Sequence, residues 1–430
     1  MRVLIVGSGA REHALAWKLR QSPRLQALFV APGNPGTAQV ADNLPVKAND
    51  IDALVRTAKE QRIDLVVVGP EEPLTLGLVD RLTADGIAAF GPTQAAAQIE
   101  ASKVFSKELM VRHGIPTAKH KSFDSLMEAG IYIAEHPEPL VVKTDGLAAG
   151  KGAILTCDSA MALEVADALL CDRVFGDAGA RIVIEERLTG RETSAMAFTD
   201  GRTVLSMPLS CDHKAVFDYD EGPNTGGMGA YSPPGWVKPE MIDWIDEHVT
   251  RATVRAMAAE GRPYRGVIYP GLLVTAEGPN VLEYNCRFGD PETQAILPRL
   301  KSDLLDILWA AANERLHEVS VEWRDEACVA VVLASGGYPD RYETGFPIKG
   351  LDDLDSDVML FHAGTKTDDS GRVVTSGGRV LTVAALGSTL EEARKKAYAN
   401  VERLRWPGVH YRTDVGGRRI RPRPEWLEIP

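Results

Sequence analysis

Residues 140–152 read L-V-V-K-T-D-G-L-A-A-G-K-G. Leu140, Val141 and Val142 are apolar and partly β-branched, the pattern of a short buried strand. Lys143 closes that strand, and a buried ammonium is costly without an anionic partner. The loop that follows holds Gly146, Gly150 and Gly152, two alanines and Lys151. Glycines let backbone N–H groups approach an anion, and lysine adds the charge. Two readings are open at this point: a phosphate cradle, or a hairpin loop with two solvated lysines. A P-loop is excluded, because three residues separate Gly146 from Gly150 and Gly152 stands where a metal-binding hydroxyl would be needed. A kinase glycine loop is excluded because no H-R-D or D-F-G follows. A nucleotide bound here therefore requires a different fold.

Working outward, residues 2–6 form an apolar strand, followed by Gly7-Ser8-Gly9 and a helix with Ala14, Leu15 and Leu19 on one face. This is a βα unit of nucleotide-binding type. The dinucleotide fingerprint fails, since Glu12 replaces the third glycine and the next strand runs into A-P-G-N at 31–34 without the required acid. The N–H groups of the turn remain candidates for a phosphate or polar substrate. Strand–helix alternation continues through 63–68 and 88–90, which predicts a parallel sheet with its turns at Gly7, Pro32 and Gly69 on one edge. Glu71 follows the third of these turns. Residues 95–113 read as one helix carrying Lys103 and Lys107, and G-I-P at 114–116 ends it.

Beyond 116 the pattern changes to a small α+β unit, with strands near 119–123, 140–143, 153–156 and 181–186. The segment 210–235 is too rich in Gly, Pro, Asp and Asn for regular structure, and its Val216, Phe217, Met228 and Tyr231 argue against disorder, so it reads as an active-site loop. In the strand V-L-E-Y-N at 281–285, alternation puts Glu283 and Asn285 on one face. A carboxylate and an amide oxygen suit Mg²⁺, which leaves further positions to water and phosphate. Short strands near 327–333, 358–362 and 379–385 close the chain, with a helix capped by Thr389 and Glu392.

The chain has 430 residues, enough for several cores, and a formal charge of −12 that disfavours a generic nucleic-acid surface. Five scattered cysteines without a C-x-x-C pair fit a reducing compartment rather than zinc or disulfides. The opening M-R-V-L-I-V-G lacks a secretory pattern and no apolar run has the length of a membrane span, so a cytoplasmic protein is expected.

Taken together, these stretches resemble the ATP-grasp ligases, and most closely the phosphoribosylamine–glycine ligase family. The resemblance runs through G-x-G-x-R-E-H-A at 7–14, A-P-G-N at 31–34, V-G-P-E at 68–71 and K-x-D-G-L-A-A-G-K-G at 143–152. It continues through D-H-K at 212–214, G-P-N-T-G-G-M-G-A-Y-S-P at 222–233, E-Y-N-C-R-F-G-D-P-E at 283–292, G-G-Y-P at 336–339 and H-A-G-T-K at 362–366. Thr144 and Pro270 stand where alanine is usual, and neither removes a polar group.

The resemblance implies an α/β multidomain fold: a Rossmann-like domain at 1–116, a small ATP-grasp lobe at 117–190, a large lobe at 191–325 and a β-rich C-terminal domain at 326–430. It implies ligation of glycine to 5-phosphoribosylamine at the expense of ATP, with Mg²⁺ or Mn²⁺, in a monomer or weak homodimer with no nucleic-acid or membrane partner. By resemblance, Lys103, Lys143, Gly146, Gly150, Lys151 and Gly152 hold ATP phosphates, while Glu185, Glu186 and Leu188 form the adenine hinge and Glu192 binds ribose. Glu283 and Asn285 hold the metal, Arg287 stabilises the acyl phosphate and Asp290 orients the amine. Gly9, Arg11, Glu12, Glu71, Lys214 and Arg379 are the remaining substrate candidates. A carboxylase or formate-using transformylase of the same superfamily would share Lys143 and Glu283, but not the D-H-K and N-T-G-G-M-G stretches.

Overall fold

The structure, a computed structural model, describes residues 1–148 and 151–417. Its first sheet is wholly parallel, with order β3-β2-β1-β4-β5: β1 Arg2–Gly7, β2 Ala27–Pro32, β3 Asp42–Asn43, β4 Leu65–Val68 and β5 Ala88–Phe90. β1 and β4 are continuous apolar runs because helices cover both faces of the sheet. The register Gly7↔Pro32 and Val6↔Val68 brings the turns after all three strands to one edge, as expected.

The small unit is a four-stranded antiparallel sheet of order β6-β9-β7-β8: β6 His120–Phe123, β7 Leu140–Thr144, β8 Ala153–Leu155 and β9 Ile182–Glu186. Leu140, Val142, Ile182 and Ile184 face helices Leu126–Glu135 and Ser159–Leu170 in a separate core. The pairings Val141↔Glu185 and Lys143↔Val183 put Lys143 and Glu185 together on the opposite face.

β10 Arg191–Ser194, β11 Ala197–Asp200, β12 Val204–Ser206, β17 Arg265–Thr275 and β18 Gly278–Asn285 make the central sheet. The C-terminal sheet has order β13-β16-β19-β23-β20: β13 Cys211–Asp212, β16 Gly229–Ser232, β19 Ala327–Ala334, β20 Val358–His362 and β23 Arg379–Gly387, and β21 Thr365–Thr367 pairs antiparallel with β22 Val373–Thr375. The central sheet shares its core with the first sheet, since Ile268, Leu272 and Val281 pack among Leu4, Val66 and Leu109.

Two expectations are corrected. Residues 210–235 are not irregular throughout. They contribute β13 and β16 to the C-terminal sheet and a hairpin of β14 Ala215–Phe217 and β15 Glu221–Asn224. Tertiary pairing of β16 with the buried β19 overrides a turn-rich composition. Residues 95–113 are not one helix. Gln94–Ala101 and Lys103–Arg112 meet at Ser102, whose extended backbone breaks the helix and whose Oγ accepts from Phe105 N–H. Asp145 Oδ1 secures the break, accepting from Ser102 Oγ and Val104 N–H at 2.8 Å each. Helix Lys103–Arg112, placed with the first unit by a boundary at 116, packs against β9 and β18. Among the described residues, no helix is long and apolar enough to cross a membrane.

Candidate active site

The edge of the first sheet, the small unit, β18 and the C-terminal sheet enclose a cavity of about 360 Å³, and Arg11, Glu71, Glu100, Lys103, Asp212, Lys214, Glu283, Asn285, Arg287, Asp290, Glu292 and Arg379 all border it. At one end the Ser102 break points Lys103 at Glu283, with Nζ 3.8 Å from Oε2. Burial opposes ionisation of Glu283, but Lys103, Lys214, Lys143 and Arg287 together pull its pKa down to about 2. Asn285 stands two residues on, on the same strand face. This pair fits a hard divalent cation: an ionised carboxylate and an amide oxygen, both on the cavity wall. Among the described residues no cluster of three or more His, Cys, Asp or Glu could hold a metal by itself, so substrate oxygens and water would have to complete the shell.

Lys143 is buried and does not border this cavity. Its Nζ lies 2.9 Å from Glu185 Oε2 and donates to the Leu282 carbonyl at 3.0 Å. The other Glu185 oxygen is 3.0 Å from Lys107 Nζ. Burial raises the Glu185 pKa, and the two lysines more than reverse this. Glu185 is thus a side-chain partner of Lys143, and both strands beside β9 hold its backbone in the ladder. The Glu186 N–H is also committed, to Lys119 O at 3.0 Å, and Leu188 lies past the end of β9.

In the glycine loop, a Cβ on Gly146 would come within 2.8 Å of Ala178, and one on Gly152 within 2.7 Å of the Ala148 side chain. Both glycines are therefore required by close packing as well as by any role towards phosphate. Lys151 Nζ donates to the Pro339 carbonyl at 3.2 Å, reaching across to the C-terminal unit. Gly150 lies outside the described residues. Glu192 and Lys214 form an ion pair at 3.3 Å, and both also border an adjoining cavity walled by Trp236, Tyr231 and Leu273.

At the other end Arg287 is held between two carboxylates: Nε lies 3.2 Å from Glu71 Oε2, and a terminal nitrogen 3.4 Å from Glu100 Oε1. Burial raises the Glu71 pKa, but Arg287 and Arg11 bring it down to about 2. Burial wins at Glu100, whose pKa is raised despite Arg287 and the Cys286 N–H that donates to it at 2.6 Å. Asp290 accepts from Gln294 Nε2 at 2.7 Å and pairs with Arg379 at 3.3 Å. Burial opposes its ionisation, and Arg379 and Arg11 keep its pKa below the ordinary carboxylate range. Arg379 also donates to the Gly226 and Asp290 carbonyls, both at 2.8 Å. Asp212 behaves oppositely: burial and the Glu292 charge raise its pKa well above normal, against the pull of Lys214 and Arg379. Glu292 itself accepts from Tyr269 OH and, at 3.1 Å, from Ser194 Oγ.

The turn after β1 is closed from within. Gly9 N–H donates to Glu12 Oε2 at 2.6 Å, and Glu12 Oε1 takes Arg11 Nε at 2.6 Å. The N–H expected for a substrate phosphate is thus satisfied by a carboxylate. Arg11 reaches the cavity and donates to the Phe288 carbonyl at 3.2 Å. A Cβ on Gly69 would fall inside the buried Glu12 carboxylate. Gly69→Ala should therefore destabilise the fold by about 1–3 kcal/mol by overpacking. Urea unfolding checks this, and an unchanged midpoint would show that Glu12 is free to move.

Glu100, Lys107, Asp212, Glu292 and Gln294 were not among the residues expected from the sequence. Asp212 and Glu292 lie within the D-H-K and G-D-P-E stretches, which were the available signal. Glu100 and Lys107 look like surface charges on a long helix and gave none.

A Rossmann-like sheet, an antiparallel glycine-loop lobe and a carboxylate–amide strand facing lysines define an ATP-grasp architecture. The biotin carboxylase domain of the Hydrogenobacter thermophilus 2-oxoglutarate carboxylase shares the fold, with a TM-score of 0.73 at 15% identity over 95% of this chain and 91% of that one. The family models for phosphoribosylglycinamide synthetase match in sequence: the N domain at 1–100, the ATP-grasp (A) domain at 101–293 and the C domain at 328–418, so this chain belongs to the phosphoribosylglycinamide synthetase family. It is 51% identical to the phosphoribosylamine–glycine ligase of Allochromatium vinosum over 98% of its length and 99% of the relative's. It is 49% identical to that of Vibrio parahaemolyticus, again over 98% and 99%. The crystal structure of the Thermotoga maritima phosphoribosylamine–glycine ligase superimposes with a TM-score of 0.85 at 34% identity, covering 96% of this chain and 99% of that one.

Proposed function

We propose that this chain joins glycine to 5-phosphoribosylamine, consuming ATP and giving glycinamide ribonucleotide, ADP and phosphate, the second step of de novo purine synthesis. The observation that carries this reading is that the Lys103–Glu283–Asn285 end and the Arg287–Asp290–Arg379 end border one cavity. A carboxylate is a poor electrophile. Phosphorylation of glycine to an acyl phosphate activates it, and the amine of phosphoribosylamine then displaces phosphate. No enzyme nucleophile is needed, so catalysis is positioning and charge neutralisation.

In this reading residues 117–190 cover the nucleotide, 191–325 form its floor, and the units at 1–116 and from 326 onward wall the acceptor side. Lys103 and Lys143 take the phosphates, with Gly146, Lys151 and Gly152 over them. Leu188 marks the hinge at adenine, and Glu192 the ribose. Glu283 and Asn285 would hold Mg²⁺ or Mn²⁺, which when bound supplies further positive charge at the phosphates. Arg287, fixed by Glu71 and Glu100, faces the charge that develops on the acyl phosphate. Asp290, kept ionised beside Arg379, accepts a hydrogen bond from the incoming amine. Arg11, Lys214 and Arg379 supply cations for the phosphoribosyl and glycine carboxylate groups. The chain acts as a monomer or weak homodimer in this reading, and five scattered cysteines without a C-x-x-C pair suit a cytoplasmic setting.

The test is ADP release with phosphoribosylamine present. Glycine should be required. Equal turnover with bicarbonate or formate in its place would reject the assignment. Lys143→Met should raise the ATP KM at least tenfold. An unchanged ATP KM would return Lys143 to a structural role.

A further inference from the structure

Lys143 carries a phosphate role in the proposed function, yet its ammonium is committed to Glu185 and to the Leu282 carbonyl. It can turn to a nucleotide only by leaving a carboxylate that is itself 2% exposed. A buried carboxylate abandoned by its only cation is strongly disfavoured. Here a second cation is already in place. Lys107 is 1% exposed and sits 3.0 Å from the other Glu185 oxygen. Its position is fixed independently of Lys143: it donates to Thr117 Oγ1 at 2.6 Å, and that hydroxyl donates to the Val281 carbonyl at 2.8 Å.

We infer that Lys107 is a positioning residue that holds Glu185 when Lys143 exchanges this carboxylate for the nucleotide phosphates. Glu185 is then a parking site for Lys143, and Lys107 makes departure possible. Burial lowers the Lys107 pKa, and the adjoining Glu185 carboxylate opposes that fall by favouring the cationic form. The anchors of the two lysines are consecutive carbonyls, Val281 (through Thr117) and Leu282, directly before Glu283. The exchange therefore takes place beside the strand that carries the proposed metal pair.

This inference rests on the assignment of Lys143 to phosphate, and the experiment separates the two. ATP kinetics are measured on the full chain at saturating glycine and phosphoribosylamine for Lys107→Met, Glu185→Gln, the double variant and Lys143→Met. Lys107→Met should raise the ATP KM at least tenfold, with kcat and the glycine KM within twofold of the unsubstituted protein. Adding Glu185→Gln should restore the ATP KM to within threefold of Glu185→Gln alone, because no carboxylate then retains Lys143. An ATP KM within twofold for Lys107→Met, or a double variant as impaired as Lys107→Met, overturns the inference. Should Lys107→Met alone not fold, Glu185→Gln is compared directly with the double variant. Equal ATP KM values support the inference, and a tenfold difference overturns it. If Lys143→Met leaves the ATP KM unchanged, the phosphate assignment itself fails. If Lys143→Met raises it and Lys107→Met does not, only the role of Lys107 fails.

Discussion

Arg287→Met should lower kcat by about 10²–10³-fold and destabilise the protein by about 3–5 kcal/mol at pH 8. The two losses have one origin. Arg287 is the cation between Glu71 and Glu100, and the Glu100 side chain is 9% exposed. Without it, both carboxylates remain in the wall with no ion-pair partner of comparable closeness among the described residues. In the unsubstituted protein the folded pKa of Glu71, about 2, lies below the ordinary 4.5. Its contribution to stability is therefore complete above pH 4.5 and lost as pH falls towards 2. In the variant, burial is opposed by weaker contributions, Arg11 at Glu71 and the Cys286 N–H at Glu100, so the folded pKa of Glu71 should move up past its unfolded value and that of Glu100, already raised, should climb further. The penalty is then small at low pH and grows as pH rises through those values. The stability gap between the two proteins should accordingly be wider at pH 8 than at pH 5. Urea denaturation at both values measures it, and a gap independent of pH would mean that the ion cluster is not what Arg287 supports.

Much of this site was legible in the sequence because period-two alternation carries side-chain direction. It placed Glu283 and Asn285 on one strand face, and the apolar run before Lys143 marked 140–143 as a strand closed by a lysine. The three turns on one sheet edge followed from repeated apolar strands in the same way. What escaped depends on partners distant in sequence. Ser102 breaks a helix because Asp145, over forty residues away, accepts from the second helix's first turn. Residues 229–232 become a strand because β19 lies beside them. Lys107 resembles any exposed helical lysine until Glu185 and Thr117 close over it. At Gly9 the pattern suggested N–H groups for a phosphate or polar substrate, and the fold places the Glu12 carboxylate on the Gly9 N–H. Local pattern thus reported which groups face inward, and the pairing among them came from tertiary packing.

Glu283→Gln should reduce kcat at least about 10³-fold while leaving the fold intact. The substitution keeps the shape and removes the charge that Lys103, Lys214, Lys143 and Arg287 surround. Its folded pKa of about 2 means that Glu283 adds stability above pH 4.5, so at neutral pH some stability must be lost. The side chain keeps 33% of its surface exposed, and solvent screening limits that loss to roughly 1 kcal/mol. A small thermal shift with a large kinetic loss therefore separates a role in the chemistry from a role in folding. Asn285 alone offers one neutral oxygen, and no three-residue acidic cluster stands nearby among the described residues to replace Glu283. Direct Mn²⁺ titration in the presence of ADP, followed by electron paramagnetic resonance, should show at least tenfold weaker binding for Glu283→Gln. Normal turnover, or undiminished Mn²⁺ binding, would remove the metal pair from β18. Lys103, 3.8 Å away, would then be the group that Glu283 serves, as a counter-charge holding the ammonium in place.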